Sequence, residues 1–542
     1  MILGAQAIVE CLKKENVPVV FGYPGVAILP FYDSLRDSGI RHILNRTEQG
    51  AGHAASGFAR ISGRPGVCAV TSGPGATNLF TAIATAYSDS IPLVAITGQV
   101  PTDSLGRDVF QEVDTTGAAE PFTKYSYLLQ SADDIGRVFK EAFHIASTGR
   151  RGPVLIDVPV DVQKQLVRFS YPKDVSIRGY KPRHEGHALQ VRRVAEAVLA
   201  AKRPLLCIGG GVFLSGGNAV RLIREFCGKN KLPAVSTMMG IGALTAGDPL
   251  YFGMLGQSGA KTANRAVSES DLLVLVGARV GDRAIAKPAA LEDGAKIIHI
   301  DIDAAEIGKN VGPTIPLVGD AAAVILKLLE HETAGEWSEW LLHLEHLREN
   351  EQENEAENPA KKGYINPNAF VRALCAKLPE NSAYIADVGQ NQIWSAKNYT
   401  ARGRFLTTGG MGTMGYSIPA GIGAKLADPE KIVVAVCGDG AFQMSLNELA
   451  TMRRHDISVK IAVMNNQMLG MVKEIQEQAG GRSFAVDIGG APDLKLIADA
   501  YGIDYMRLDS HEKTGEALDA MLNGKGSFLL ECTVDPDENT SI

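Results

Sequence analysis

Short apolar runs recur along the chain and alternate with stretches of helical character. Nine of these runs indicate strands: PGVCAVTSG, IPLVAITG, GPVLIDVP, RPLLCIGGG, DLLVLVGA, KIIHIDID, KIVVAVCG, VKIAVMNN and FLLECTVD. Several lack the polar alternation of a half-exposed strand, which is typical of parallel sheets covered on both faces. Strands that alternate with helices predict parallel sheets with crossover helices. The sequence therefore predicts an α/β fold.

The chain is long enough for several such sheets. For 542 residues and domains of about 100 to 200 residues, two to four domains are expected. Residues 165–190 contain prolines and lack periodicity, and residues 345–363 are dense in charge, so both stretches are predicted to be linkers. We therefore predict three doubly wound parallel-sheet domains, at residues 1–165, 186–335 and 360–542.

The ends of the two outer blocks are similar. GPVLIDVPVD at residues 152–161 has the pattern of GSFLLECTVD at residues 526–535. We expect the outer domains to be related, although the last strands of two unrelated sheets would also look alike over so short a stretch.

Composition argues against several classes of partner. The net charge of −7 provides no basic surface for nucleic acid or acidic lipid. No apolar run approaches the roughly 18 residues that cross a bilayer, and the N-terminus lacks a secretion signal. The seven cysteines are scattered and form no C-x-x-C pair, so neither a disulfide framework nor a zinc site is indicated. We expect a cytoplasmic protein.

An acid stands where one buried strand should end. Asp439 lies between two glycines after the run KIVVAVC, and glycine turns at such strand ends let backbone N–H groups approach a phosphate. Gly440 and Ala441 would supply these donors. Because a carboxylate repels phosphate unless a cation lies between them, Asp439 is a candidate magnesium ligand. The next apolar run ends at Asn466, 27 residues later (466 minus 439).

Each of these dipeptides alone is better interpreted as a turn. Their occurrence on successive strand ends, at the spacing of one strand, one helix and one strand, favours a metal site.

These residues carry a family resemblance. GDGAFQMSLNELATMRR followed by VKIAVMNNQMLGMV resembles the thiamine-diphosphate signature, and nearly the whole chain resembles the large catalytic subunit of acetohydroxyacid synthase (acetolactate synthase). The matching segments are FGYPG, RTEQGAGHAASGFAR, TSGPGATNL, ITGQVPT, FQEVDTTG, GMLGQSGAKTAN, DVGQNQIW and GGMGTMGYSIPA. The resemblance implies a pyrimidine-binding, an FAD-binding-like and a diphosphate-binding domain, in that order. It also implies that Asp439, Asn466 and the backbone carbonyl of Met468 hold magnesium.

Glu48 is the candidate catalytic acid. An acid in the first turn of a helix is favoured by the helix dipole, typically by about 0.3–1 kcal/mol, so a purely structural interpretation is available. By resemblance, Glu48 instead hydrogen-bonds the aminopyrimidine ring of thiamine diphosphate and promotes the imino tautomer that removes the thiazolium C2 proton. The ylid that results is the nucleophile. Met414 would support the bent cofactor, rather than merely fill the core, and Gly412 would accept from its amino group.

The resemblance assigns further contacts to the same cofactor. It places Tyr23, Pro24, Pro74 and Asn78 around the pyrimidine, Gln390 and Asn391 at the diphosphate, and Phe110 and Gln111 in the substrate pocket. The family usually has His in place of Asn391 and often Ser in place of Ala441, so each change removes or shortens a phosphate donor.

The central block resembles a domain that binds FAD structurally, without net redox chemistry. The residues that imply it are Arg150, Gly209, Gly210, Gly211, Arg283, Asp301 and Asp320. A run of three glycines is weak evidence alone, and the weight lies in the combined match.

The expected reaction starts from pyruvate. Pyruvate loses carbon dioxide on the cofactor, and the carbanion attacks a second 2-oxo acid to give 2-acetolactate or 2-aceto-2-hydroxybutyrate. A homodimer or homotetramer is implied, and a small regulatory subunit is possible. Whether such a chain serves valine and leucine synthesis or acetoin formation stays open.

Several positions depart from the family pattern. Val26 replaces a glycine that borders the active site, and Ile475 replaces a tryptophan associated with preference for 2-oxobutyrate. Val160 and Gln257 replace a lysine and a methionine. Since the aromatic contact area is lost, we expect pyruvate to be preferred as the second substrate.

Three other functions are compatible with these residues. Another thiamine-dependent lyase or decarboxylase would share the cofactor residues and differ in product. A pyruvate oxidase would use FAD for redox, so pyruvate would bleach the flavin. A catalytically silent nucleotide-binding subunit would have no need for Glu48, Met414, Asp439 and Asn466 together.

Overall fold

The structure is a computed structural model that describes residues 1–216, 218–285, 291, 294–354, 360–490 and 492–540. Small parts of the second and third predicted domains lie outside these ranges. Among the described residues, no helix combines the length and the apolar character that a membrane crossing requires.

The N-terminal part forms one parallel sheet and a small antiparallel pair. Its strands are β1 Ile2–Leu3, β2 Val19–Tyr23, β3 Arg41–Leu44, β4 Gly66–Val70, β5 Leu93–Gln99, β6 Tyr125–Leu128, β7 Pro153–Pro159 and β8 Leu166–Val167. Its α-helices are α1 Gly4–Lys14, α2 Leu29–Arg36, α3 Glu48–Ser62, α4 Pro74–Ser88, α5 Thr115–Ala119, α6 Ile135–Ser147 and α7 Val160–Lys164. The sheet has the order β3-β2-β4-β5-β7-β6, and β1 pairs with β8.

The central part forms a second parallel sheet. Its strands are β9 Pro204–Ile208, β10 Ala234–Ser236, β11 Tyr251–Met254, β12 Leu272–Val276, β13 Lys296–Asp301 and β14 Ile315–Val318. The helices described here are α8 Ala188–Ala200, α9 Gly211–Leu214, α10 Ala219–Asn230, α11 Lys261–Glu269, α12 Ala321–Leu328 and α13 Ser338–Asn354. The order β11-β10-β9-β12-β13-β14 reverses direction at β9, which is the arrangement of dinucleotide-binding sheets.

The C-terminal part forms the third parallel sheet. Its strands are β15 Ser382–Ala386, β16 Arg404–Leu406, β17 Ile432–Gly438, β18 Lys460–Asn465, β19 Asp504–Leu508 and β20 Phe528–Thr533. Its α-helices are α14 Pro367–Lys377, α15 Gln390–Asn398, α16 Ser417–Ala427, α17 Asp439–Ser445, α18 Leu449–His455, α19 Gly470–Gln478, α20 Leu494–Tyr501 and α21 Thr514–Asn523. The sheet has the order β16-β15-β17-β18-β20-β19.

The outer sheets share one topology. Numbered within each sheet, both have the strand order 2-1-3-4-6-5, and the two similar peptides of the sequence contain the sixth strand of each, β7 and β20. The predicted α/β class with three doubly wound sheets is confirmed. The positions of the domain boundaries stay a prediction.

All nine predicted strands are present, and the strands that the sequence reading missed include every sheet edge. The edge strands β3, β6, β11, β14, β16 and β19 have three to five residues each. An edge strand is short and half-exposed, so it lacks the continuous apolar run that marks a central strand.

The second predicted linker is wrong for residues 345–354. These residues continue α13, whose Trp340 and Leu344 are buried against the central core. Charged residues of this helix also have partners, because Glu351 accepts from the backbone N–H groups of Lys261 and Thr262 at the start of α11. Residues 355–359 of that predicted linker lie outside the described residues.

The outer sheets pack against each other through α3 and α16. The helices approach so closely that a Cβ on Gly423 would lie 1.8 Å from the carbonyl oxygen of Ala54. One buried cluster therefore contains side chains of both sheets, such as Phe21 and Val433. This contact sets how the C-terminal edges of the two sheets are placed.

Candidate active site

The first group of predicted site residues lies at the C-terminal edge of the first sheet. Glu48 begins α3, and the side chain of Thr47 caps that helix by accepting from the N–H of Gly50. Glu48 Oε2 accepts a 3.2 Å hydrogen bond from Asn78 on α4. A Cβ on Gly75 would lie 3.3 Å from Glu48 Oε1, so glycine leaves this carboxylate accessible.

The other members of this group are close to the surface. Tyr23 ends β2 and is followed by Pro24, and Pro74 starts α4. Phe110 is 87% exposed, and Gln111 has a left-handed backbone (φ 61°) beside Gly73. The departing residue Val26 is also strongly exposed. The chain therefore presents this group on an open face.

The predicted metal residues come together at the edge of the third sheet. Strands β17 and β18 are adjacent and parallel, with Gly438 paired to Met464. Asp439 Oδ2 accepts a 2.8 Å hydrogen bond from the N–H of Gln467, the neighbour of Asn466. The two predicted side-chain ligands thus lie on adjacent strand ends, as their spacing predicted.

Burial controls the charge of Asp439. The side chain is 3% exposed, and this burial raises the pKa of its carboxyl to about 6. Hydrogen bonds from the N–H groups of Gly440 and Gln467 act in the opposite direction and lower the pKa. A cation at this carboxylate would offset the cost of burying its charge. Among the described residues no group of three or more His, Cys, Asp or Glu is suited to a metal, and the predicted set contains a single carboxylate.

Nearby polar groups are bonded within the protein. Asn391 donates both amide hydrogens to backbone carbonyls, those of Asp387 (2.9 Å) and Val436 (3.0 Å), so this amide links the ends of β15 and β17. Gln390 accepts from Asn466 through Oε1. The N–H of Gly440 contacts Asp439 Oδ1, and Ala441 is buried.

The loop that contains Met414 is fixed by a residue that the sequence reading missed. The buried Asp387 carboxylate accepts from the N–H groups of Gly415 (2.9 Å) and Ser417 (2.8 Å). Met414 lies beside Gly440, and Gly412 has a φ of +66°. An acid at the end of the apolar run AYIAD, as in VAVCGD, was the signal that could have identified Asp387.

A cavity of about 860 Å³ opens beside the central sheet and reaches the third. Of the residues predicted to bind FAD, six line it: Arg150, Gly210, Gly211, Arg283, Asp301 and Asp320. Gly209 does not line the cavity. A Cβ on Gly209 would lie 2.0 Å from the carbonyl oxygen of Gly277, so this glycine allows two backbone segments to pack closely. Gly412, Gln257 and Ile475 also line the cavity, so it extends to the predicted thiamine residues.

Charged groups line this cavity from both sides. Arg150 contacts Glu306 at 2.8 Å, and Asp320 caps α12 through the N–H of Ala322. Burial raises the pKa of Asp301 to about 6. Carboxyl oxygens accept hydrogen bonds whether the acid is ionised or neutral, so these acids are suited to bind the hydroxyl groups of a nucleotide.

Arg404 is a second residue that the sequence reading missed. Its guanidinium lies 3.6 Å from the centre of the Phe213 ring, and both residues line the cavity. Burial lowers the pKa of Arg404 to about 9, and its buried Nη1 has no hydrogen-bond partner among the described residues. An anionic ligand in the cavity would satisfy this atom, and nothing in the sequence around Arg404 signalled its role.

The Glu48 group and the Asp439 group belong to different sheets of the chain. They lie at the edges of different sheets, and no hydrogen bond among the described residues joins Glu48 to Asp439, Asn466 or Met414. Each group is one half of the predicted site.

Comparisons with known proteins identify related chains. Family models for thiamine pyrophosphate enzymes (thiamine diphosphate is the same compound) match in three places: the N-terminal TPP-binding domain at residues 2–118, the central domain at 191–328 and the C-terminal TPP-binding domain at 387–532.

Several curated relatives align over almost the whole chain. The probable acetolactate synthase large subunit of Methanocaldococcus jannaschii is 44% identical, over 99% of this chain and 92% of the relative. The acetolactate synthase of Mycobacterium bovis is 43% identical, over 94% of this chain and 84% of the relative. The acetolactate synthase isozyme 2 large subunit of Escherichia coli is 40% identical, over 99% and 96%.

Proposed function

This chain belongs to the thiamine pyrophosphate enzymes, in the family of acetolactate synthase large subunits, and on that premise we propose that it joins two pyruvate molecules into 2-acetolactate with loss of one carbon dioxide. The observation that supports this most is the placement of Asp439 and Asn466 at the ends of adjacent parallel strands, where Asp439 accepts from the N–H of Gln467. With pyruvate and 2-oxobutyrate, the product would be 2-aceto-2-hydroxybutyrate.

The third sheet would hold the metal and the diphosphate. Asp439, Asn466 and the carbonyl of Met468 would bind Mg²⁺, which prefers oxygen ligands. The raised pKa of the buried Asp439 supports a cation at this position. When bound, thiamine diphosphate supplies the nucleophilic carbon and takes up the electron pair that decarboxylation releases.

Glu48 would act on the aminopyrimidine ring. Its carboxylate is open and held by Asn78, so it can bond a ring nitrogen and shift a proton toward the imino tautomer. Met414 would support the cofactor from the third sheet, while Tyr23, Pro24 and Pro74 would surround the pyrimidine.

Replacing Glu48 tests this role. We expect E48Q to lower pyruvate turnover by about 10²- to 10⁴-fold, the range typical of a lost acid–base group, with thiamine diphosphate binding retained. E120Q, which changes an exposed glutamate of the same domain, is the matched control. Unchanged turnover in E48Q would refute the assignment.

We propose that a homodimer is the smallest active unit, because the two groups lie on different sheets with no hydrogen bond between them among the described residues, and Tyr23, Val26 and Phe110 are exposed. Mixing E48Q with D439N under conditions of subunit exchange should then restore part of the turnover, since each E48Q–D439N heterodimer contains one site with both Glu48 and Asp439 intact. No recovery would contradict a shared site. Because two of the relatives are named large subunits, we also propose a small regulatory partner.

The cavity of the central sheet is proposed to bind FAD as a structural group. The Nη1 of Arg404, which has no hydrogen-bond partner in the described part of the chain, and the acids Asp301 and Asp320 support a nucleotide there. Flavin absorbance should persist during turnover, whereas bleaching by pyruvate would favour an oxidase. The cytoplasmic location stays a prediction.

A further inference from the structure

We propose that Glu474 fixes the orientation of the Asn466 side-chain amide, so that its oxygen rather than its nitrogen faces the magnesium position. Glu474 is a positioning residue that acts through Gln390. The inference rests on the proposed magnesium site and names a residue of α19 that no motif of the sequence assigned.

A continuous row of hydrogen bonds connects these side chains. Asn466 Nδ2 donates to Gln390 Oε1 over 3.0 Å. Gln390 Nε2 donates to Glu474 Oε2 over 3.2 Å and to the backbone carbonyl of Glu538 over 2.9 Å. The carboxylate of Glu474 is held in turn by the N–H of Thr540, 3.1 Å from Oε2, and by its hydroxyl at 3.0 Å.

The chemistry of the partners decides which end of each amide points where. A carboxylate and a backbone carbonyl only accept hydrogen bonds, so both must face the nitrogen of Gln390. The oxygen of Gln390 is then turned to Asn466 and requires a donor. Asn466 must present its nitrogen to Gln390, which leaves Oδ1 on the other side.

The freed oxygen is suitably placed for a metal. Asn466 Oδ1 accepts one hydrogen bond, from the N–H of Met468 at 3.1 Å, and a carbonyl oxygen has a second lone pair for a cation. The reversed amide would direct two N–H groups at the cation instead. Glu474 therefore acts together with the Glu538 carbonyl and the Met468 N–H to keep the Asn466 oxygen toward the metal position.

Packing restricts the alternatives. Gln390, Asn466, Glu474 and Thr540 are all buried, at 6%, 6%, 4% and 3% exposure. A Cβ on Gly470 would lie 1.8 Å from Gln390 Oε1, so this glycine leaves only the space that the glutamine side chain fills. Water therefore cannot readily replace Glu474 as the partner of Gln390.

The test replaces Glu474 by its isostere. In E474Q the new amide can present either oxygen or nitrogen to Gln390, so only the Glu538 carbonyl still fixes the direction of the Gln390 amide. We expect Mg²⁺ to bind about tenfold more weakly, as for other partners of metal ligands. The measurement is calorimetric titration of Mg²⁺ into metal-free protein with saturating thiamine diphosphate and no pyruvate. E477Q, an exposed change on the same helix, should bind Mg²⁺ like the wild type.

A second background separates positioning from general damage. If Glu474 acts through the Asn466 oxygen, E474Q should add no further loss of Mg²⁺ affinity to N466A. Additive losses would overturn the proposal. If E474Q does not fold, E474D replaces it in the test, because its shorter side chain keeps the charge but ends farther from Gln390. The same loss of Mg²⁺ affinity is expected.

Failure of the inference differs from failure of the proposed function. Wild-type Mg²⁺ affinity in both E474Q and E474D would overturn the inference alone. Absence of Mg²⁺ binding by the wild type itself would overturn the proposed metal site and the inference with it.

Discussion

The carboxylate of Glu448 accepts a 2.9 Å hydrogen bond from the backbone N–H of Arg46, although the two residues are 402 positions apart. It also accepts from Asn45 and Thr47, so one fully buried acid of the third sheet's domain holds the loop directly before Glu48. A Cβ on Gly50 would lie 2.2 Å from Glu448 Oε1, which makes the fit close. The placement of Glu48 therefore depends on the C-terminal part of its own chain.

Removing this acid should displace Glu48. In E448A the N–H groups of Arg46 and Thr47 lose their acceptor, and each unsatisfied buried donor costs about 1–3 kcal/mol. We expect pyruvate turnover to fall by about tenfold to 10²-fold, since small misplacements of catalytic groups have effects of this size. Hydrogen–deuterium exchange of the peptide 41–50 should become faster.

Two further variants make this prediction specific. E448Q should be milder, because its oxygen still accepts from both N–H groups. Asn45 can also turn its Oδ1, which has no partner among the residues that the structure describes, to the new amide. E430A changes an exposed acid and should have no effect. Wild-type turnover and exchange in E448A would contradict the prediction.

Asp157 should make stability depend on pH. Burial raises its pKa from an ordinary 3.8 to about 7, although Thr97 and Gln99 hydrogen-bond its carboxylate. The folded state therefore binds a proton that the unfolded state has lost, so this contribution to stability is present below about pH 4 and disappears as the pH rises through 7.

The variant D157N imitates the protonated acid. The difference in melting temperature between D157N and the wild type should grow in favour of D157N by at least about 2 °C from pH 5 to pH 8, because the wild type loses the contribution of Asp157 over this range. Thermal unfolding of both proteins from pH 5 to 8 measures this, with D133N, an exposed change, as the control. Parallel pH profiles of D157N and wild type would show that Asp157 is not the responsible group.

Arg404 should contribute to flavin affinity. Because its Nη1 has no partner among the described residues, a phosphate or an anionic ring in the cavity would gain a charge-assisted bond. R404Q should weaken FAD binding by about tenfold, measured by fluorescence quenching on titration of FAD into flavin-free protein. R402Q, an exposed neighbour, should retain wild-type affinity, and equal affinity in R404Q would refute the contact.

Sequence alone predicted what depends on local pattern and on sheet geometry. Parallel strands end at one edge, so the sequence predicted Asp439 and Asn466 at neighbouring strand ends, and the structure places them after the adjacent strands β17 and β18. The central strands were found because their apolar runs are continuous. The continuation of α13 was missed because Glu351 looks like solvated charge until its contact with α11 is known.

Long-range side-chain partners were beyond such reasoning. Gln390 and Glu474 are 84 positions apart, and Arg46 and Glu448 are 402 apart. No spacing rule connects residues at such separations, because the connection exists only after the sheets have packed. The direction of an amide, as in Asn391, likewise follows from its neighbours in space and not from its motif.

Ile475 should limit the choice of second substrate. It lies on α19, lines the cavity and is 47% exposed, and by resemblance this position has a tryptophan in synthases that prefer 2-oxobutyrate. I475W would restore a large aromatic face beside the incoming substrate. With equal concentrations of pyruvate and 2-oxobutyrate, we expect the ratio of 2-aceto-2-hydroxybutyrate to 2-acetolactate to rise by about tenfold. The two second substrates differ by one methylene group, and a fitted pocket discriminates one methylene group by about this factor.

The neighbouring position provides the control for this change. Val472 is on the same helix and is 46% exposed, but it is not part of the cavity lining. V472W therefore adds the same aromatic surface away from the cavity and should leave the product ratio unchanged. If I475W and V472W gave the same ratio as the wild type, the preference would have to be set elsewhere, and Gln257, which lines the cavity with Ile475, would be the next residue to replace.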